Sequence, residues 1–275
     1  MRRQPDVSRE ELQAALDREW YHTIELAPGL VTPGWFDTRS VVRELPFPES
    51  LRGQRCLDVA TFDGFWAYEM ERRGAEEIHA IDVLDPYRWD WPVGSTEETV
   101  AAINRRKEGG RGFDVAHRAL GSRVIFEERS VYDLDPAAVG EFDFVYVGSL
   151  LLHLRDPVRA LEAVRSVCRG QLLIVDNIHL PLTWLHPRRA VADFDGIGRP
   201  WWWKPNLAAL VRVLRSAGFE PHGTPKRFYM PPGRGHPGRR QTLRPGALRS
   251  AEGRHLALTA VRGDPHAAIL AQPDR

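Results

Sequence analysis

Arg55-Cys56-Leu57-Asp58-Val59-Ala60-Thr61-Phe62-Asp63-Gly64-Phe65-Trp66 is the stretch whose reading decides the fold. An apolar run ends in an acid, crosses a tight turn with one glycine and opens a helix. Eighteen residues beyond Gly64, the run Ile78-His79-Ala80-Ile81-Asp82 again closes on an acid. This is the plan of a nucleoside-binding βαβ unit. The turn lets a ligand approach backbone N–H groups at a helix N-terminus, and the second acid accepts hydrogen bonds from ribose hydroxyls. Ala60 and Phe62 stand where G-x-G-x-x-G would have glycines. A pyrophosphate needs that bare backbone, so an NAD(P)-dependent oxidoreductase is the weaker reading. A nucleoside without phosphates has no such need.

Working outward, strands are expected at 54–59, 77–82, 123–128, 142–147, 171–176 and 220–229, with a last strand at 255–261. Ser8-Arg9-Glu10-Glu11 is a capping box that starts a helix over 9–21, and Ser95-Thr96-Glu97-Glu98 starts another to Lys107. Further helices are expected at 64–73, in a short piece ending near Gly121, from Asp156-Pro157 to Cys168, and from Pro205 to Ser216. Residues 20–43, rich in aromatics, Pro and Gly, read as an ordered loop. The alternation predicts an α/β fold with a doubly wound, mostly parallel seven-stranded sheet. The last two strands, joined by a loop and no helix, would form an antiparallel hairpin. Residues 1–50 form an N-terminal helix and lid, and 51–275 the main domain. Within it, 181–204 is a substrate-side insertion and 230–253 an Arg-rich loop.

The chain has 275 residues and a net charge of +1, so no overall field draws it to nucleic acid or membrane. Cys56 and Cys168 sit in apolar runs, which suits buried thiols in a reducing cytoplasm. The longest apolar stretch, 144–154, is too short to span a bilayer and contains His153. The N-terminal residues lack the apolar core of a secretory leader. Nothing in the residue spacing calls for a metal.

These features resemble a class I S-adenosylmethionine (SAM)-dependent methyltransferase over residues 51–261. Within that class the chain is similar to the bacterial tRNA wobble-uridine methyl- and carboxymethyltransferases. Three blocks carry the likeness. The first is Leu57-Asp58-Val59 with Asp63-Gly64-Phe65-Trp66. The second runs from Gly148-Ser149-Leu150 through His153-Leu154-Arg155-Asp156-Pro157. The third runs from Trp203-Lys204-Pro205-Asn206 to Ala217-Gly218-Phe219. The resemblance implies SAM as methyl donor and a Rossmann-like sheet with an antiparallel end. Carboxymethyl-transferring members carry a tyrosine just before the histidine of the second block, where this chain has Leu152, and a large N-terminal extension that is mostly missing here. Ordinary SAM is therefore expected, with methyl transfer to oxygen or nitrogen of a small organic molecule. A tRNA substrate is the alternative, favoured by Arg234, Arg239, Arg240, Arg244 and Arg249. A non-catalytic SAM-fold binding protein is the remaining one.

Asp82 is the leading site residue, a strand-end acid for ribose whose loss should leave stability nearly unchanged. Asp58 is expected beneath the ligand, orienting the methionine ammonium or the turn. Ala60 and Gly64 give close backbone approach. Asp63 either caps the helix or touches ligand. By the resemblance, Ser130 and Val131 hold the adenine, and Gly148 and Ser149 pass the methionyl group. His153 is the general-base candidate, needed only where the acceptor loses a proton. His22, Glu25 and Asp176 are weaker ones. Tyr21 and His22 belong to a lid, and Trp202 and Trp203 are expected to line the substrate side, because three neighbouring tryptophans cannot all face one core.

Overall fold

The computed structural model describes residues 7–194, 201–236 and 251–274. Seven strands form the main sheet: β1 (Arg55–Val59), β2 (Glu77–Asp82), β3 (Ile125–Glu128), β4 (Phe142–Gly148), β5 (Cys168–Asn177), β6 (Phe219–Met230) and β7 (Asp264–Pro273). Their order is β6-β7-β5-β4-β1-β2-β3. The five strands from β5 to β3 are parallel. β7 enters antiparallel between β5 and β6.

Strand alternation splits the core in two. Cys56, Phe144, Tyr146, Leu173 and Val175 face one side, where α2 (Phe65–Arg72), α4 (Arg111–Leu120) and the N-terminal segment cover them. Leu57, Val59, Val145, Leu172 and Ile174 face the other, covered by α6 (Pro157–Val167) and α8 (Leu207–Ser216). α1 (Arg9–Ala15) and α3 (Glu97–Lys107) lie on the N-terminal side of the cleft described below. The short α5 (Pro136–Val139) and α7 (Leu180–Leu185) are connectors.

Three expectations change. α1 ends at Ala15 instead of running to Tyr21. The buried Trp20 indole N–H donates to the Ala15 carbonyl at 2.8 Å, so the chain turns back there. Trp20–His22 then pairs in parallel with Gly34–Phe36. Residues 255–261 lie within a helix, α9 (Ala251–Arg262), which joins β6 and β7. Gly263, at φ +87°, ends that helix with its N–H on the Thr259 carbonyl, and the final strand begins only at Asp264. Finally, α8 starts after Asn206, whose side-chain Oδ1 accepts from the Ala209 N–H as an N-cap, while Pro205 belongs to a short strand. Of the Arg-rich stretch 230–253, residues 237–250, with Arg239, Arg240, Arg244 and Arg249, lie outside the described residues.

Gly64 caps α2 in the left-handed region at φ +87°, and a Cβ there would stand 2.5 Å from the buried Tyr68 ring. Gly64→Ala combines backbone strain with overlap against a rigid ring and should cost about 2–4 kcal/mol. Urea unfolding of the variant is the check, and a loss under about 0.5 kcal/mol would contradict the packing described.

Candidate functional site

A cleft of about 720 Å³ opens along the ends of β1, β2, β4 and β5, where an open α/β sheet places its ligands. Because β7 runs antiparallel, its first residues reach the same edge, with His266 opposite Asn177 at the end of β5.

The turn after β1 forms the floor. Ala60 and Phe62 adopt φ values of +59° and +52° without being glycine. This geometry turns the Phe62 N–H onto Asp82 Oδ2 at 2.8 Å. Asp58 lies buried below and accepts from Thr61 Oγ1 at 2.6 Å and the Ala67 N–H at 3.1 Å. Burial pushes its carboxyl up to about 7 against those hydrogen bonds. Asp58 therefore orients the turn, and only Ala60 and Phe62 of the turn line the cleft. Asp63 neither caps α2 nor faces the cleft. Its Oδ2 accepts the backbone N–H groups of Tyr21 at 2.7 Å and His22 at 2.9 Å, fastening the N-terminal segment to the turn. Gly64 is likewise set back, under Tyr68.

Asp82 does line the cleft, at the end of β2. Its Oδ1 accepts from the Val83 N–H at 2.7 Å. Its Oδ2 takes Phe62 and stands 2.6 Å from Lys107 Nζ, the last residue of α3. The Lys107 side chain is only 2% exposed and is packed between the rings of Phe62 and Trp89 at 4.5 and 5.2 Å. The contact is ionic and off a hydrogen-bonding direction, since Nζ has no hydrogen-bond partner. Asp82 thus commits one lone pair of each oxygen to the protein backbone and keeps the others for a ligand. The buried ammonium beneath fixes the carboxylate in place at the cleft wall.

Ser130 and Val131 form the next wall. The Ser130 hydroxyl caps a short turn by accepting from the Tyr132 N–H at 3.3 Å. Tyr132 donates its hydroxyl to Asp90 at 2.7 Å, Asp90 also accepts from the Arg155 N–H, and the Trp202 indole donates to the Asp90 carbonyl at 2.7 Å. Trp202 therefore clamps the wall from outside, Trp203 sits in a short strand against Phe194, and Trp201 is the tryptophan that faces the cleft, with Lys204 over its ring.

At the far end lie Gly148, Ser149, His153, Tyr21, Trp35 and Phe36. In the strand Trp20–His22, only Tyr21 faces the cleft. His22 stacks on Phe65 within the core, and burial drives it down to about 3. Glu25 is exposed and accepts from the Gly29 N–H. Asp176 holds the turn after β4 by accepting from the Leu150 and Leu151 N–H groups, with its pKa raised by burial. Among the described residues, no group of three or more His, Cys, Asp or Glu is placed to hold a metal.

No family model matches the chain. The tRNA U34 carboxymethyltransferases of Pseudomonas paraeruginosa and Pseudomonas aeruginosa are 26% identical over 173 residues, 62% of this chain and 46% of theirs. The chain thus spans about half the length of the curated relatives it matches. Among solved structures, the N-terminal domain of EvdMO1 with SAH bound aligns over 97% of both chains at 16% identity, TM-score 0.50. A candidate SAM-dependent methyltransferase of Listeria monocytogenes aligns over 86% of this chain and 98% of that one at 12% identity, TM-score 0.50. The fold is that of the SAM-dependent methyltransferases.

Sequence reasoning missed Lys107, Asn177, Trp201 and His266. Lys107 was visible as one of only three lysines, at the end of a predicted helix. The others needed the strand order. Asp82→Asn should destabilise the protein by about 3–5 kcal/mol, because it strands a buried ammonium. Asp82→Asn with Lys107→Met should recover most of that loss in urea unfolding; no recovery would mean that the two charges do not act as a pair.

Asp63 supplies a pH signature. Burial raises its folded value from 3.8 to about 6. The folded protein then binds more protons than the unfolded chain between those values, so the Asp63 contribution to stability falls as pH rises through that window. Wild type should lose ground to Asp63→Asn from pH 4 to about 6 in unfolding titrations. Parallel pH dependence in the two proteins would contradict a buried Asp63.

Proposed function

We propose that this chain is a SAM-dependent methyltransferase whose acceptor is a small organic molecule. One observation supports the reading above the others: Asp82, held in place by the buried Lys107 ammonium, lines the cleft at the end of β2, beside the wall formed by Ser130 and Val131. These residues fit a nucleoside. When bound, SAM would supply a methyl group on a sulfonium, ready for in-line displacement. Asp82, fixed by Lys107, holds the sugar, Ser130 and Val131 flank the base, and the backbone at Ala60 and Gly148 approaches the remainder. Binding and orientation then contribute most of the rate. His153 lines the acceptor end and positions the substrate there.

In the same reading, residues 1–50 form a lid and 51–275 the SAM domain. Asp63 supports this division, since it joins the Tyr21–His22 backbone to the SAM-binding turn. Tyr21, Trp35, Phe36 and Trp201 give the far end of the cleft an aromatic lining, which suits a flat acceptor shut off from water. The tRNA enzymes among the relatives keep an RNA acceptor as the second reading. Against it stands the net charge of +1. Among the described residues no helix is long and apolar enough to cross a membrane.

S-adenosylhomocysteine should bind in the low micromolar range or better and raise the melting temperature by mass action. Calorimetry with S-adenosylhomocysteine and NAD decides: heat from NAD alone would overturn the methyltransferase reading. Labelled SAM incubated with tRNA from a strain lacking the protein tests the acceptor. Stoichiometric label in one nucleotide would replace the small molecule by RNA.

A further inference from the structure

Ser149 follows β4 directly, at φ +48°, a strained value for a serine, and lines the cleft. Its Oγ lies 3.0 Å from His266 Nε2. His266 Nδ1 lies 2.8 Å from the backbone carbonyl oxygen of Asp264. A carbonyl only accepts, so Nδ1 carries the imidazole proton and Nε2 is the bare nitrogen. Ser149 is then the donor in its contact with His266. A serine oxygen has one proton and two lone pairs. The proton goes to His266, and the lone pairs of the serine oxygen lie on the cleft wall, where a ligand hydroxyl can donate to them.

His266 itself is 1% exposed and reaches a ligand only through Ser149. Asp176, buried at the end of the neighbouring β5, attracts the charge that His266 gains on protonation. The direction of every bond therefore runs from the cleft inward, toward a base backed by a carboxylate. Such a device has a use only for a group that must lose a proton to react. A neutral amine attacks with its own lone pair. An alcohol is a poor nucleophile until its proton departs.

We propose that Ser149 and His266 form a proton relay that activates the hydroxyl group of an aromatic alcohol, a substrate class that the rings of Tyr21, Trp35, Phe36 and Trp201 also fit. The inference rests on the methyltransferase reading. The O–H bond of the alcohol breaks as its oxygen bonds the methyl carbon. The electron pair of the old S–C bond stays on sulfur. The alcohol's proton goes to Ser149 Oγ while the serine's own proton goes to Nε2, and the imidazolium returns it to water after product release. Ser149 touches the substrate; His266 acts through it.

The test uses 4-nitrophenol, whose phenolate absorbs visible light, added to the full chain saturated with S-adenosylhomocysteine. At a pH below the probe's own pKa, wild type should bind it as phenolate. Ser149→Ala and His266→Gln should each lower the bound phenolate fraction about tenfold or more, while S-adenosylhomocysteine affinity stays within about twofold. Ser149→Ala, a small change on the cleft wall, keeps the test sound if His266→Gln fails to fold. The relay is overturned if wild type binds no probe or only neutral phenol, or if Ser149→Ala retains the band. A wild type that binds no S-adenosylhomocysteine overturns the methyltransferase reading instead, so the two failures are distinguishable.

Discussion

The chain between Val59 and Phe65 holds Ala60, Phe62 and Gly64 all in the left-handed region. For the two non-glycine residues that backbone costs on the order of 1–3 kcal/mol each, and the surroundings must over-determine it. Buried carboxylates do so. Asp58 grips Thr61 and the first turn of α2 from below. Asp82 takes the Phe62 N–H from the end of the next strand. Every other feature of the site is placed by this turn: the floor of the cleft, the start of α2, and the attachment of the N-terminal segment.

That attachment shows how one polar interaction organises apolar packing. Asp63 accepts two consecutive N–H groups from the strand Trp20–His22. Strand alternation then does the rest. Trp20 and His22 go into the core, and Tyr21 is left facing the cleft, beside Ser149. A single carboxylate thus couples the cofactor-side turn to the acceptor-side wall. The cost is visible in its raised pKa, as burial without a cationic partner in contact predicts.

The sheet was legible because each central strand is a short apolar run with an acid or a glycine at its end, and the 18-residue step from Gly64 to Asp82 is local. Ala60, Asp82, Ser130, Val131, Gly148, Ser149 and His153 line the cleft because each lies at or after the end of a strand that the sequence marks; Tyr21 also lines it, on a short strand where a helix was expected. What failed was of two kinds. Residues 255–261 are too few to tell period 2 from period 3.6, and Gly263, the real boundary, was passed over. The charged and hydroxyl groups of the site were paired wrongly because their partners are distant. Lys107 meets Asp82 from another helix, and His266 meets Ser149 across 117 residues, through a strand that inserts antiparallel into a parallel sheet. Likewise, only the clamp from Trp202 to Asp90 decides that Trp201 is the tryptophan facing inward.

The two ends of the cleft therefore differ in electrostatic character. At one end a full ion pair is buried, with the charges 2.6 Å apart and rings on the ammonium. Such a pair cannot move a proton usefully without stranding a charge in a poorly solvated place, so it serves to hold polar groups in position. At the other end a hydroxyl and an imidazole, Ser149 and His266, meet, with Asp264 on the cleft wall and, at the inner end, Asp176, already committed to backbone donors. A neutral chain of hydroxyls and imidazole can carry a proton without a large rearrangement, because charge appears only at its inner end, beside that carboxylate. On the proposed reading, a cationic donor held between the two ends would meet binding at one and a proton acceptor at the other, the division of labour that transfer to a hydroxyl group requires.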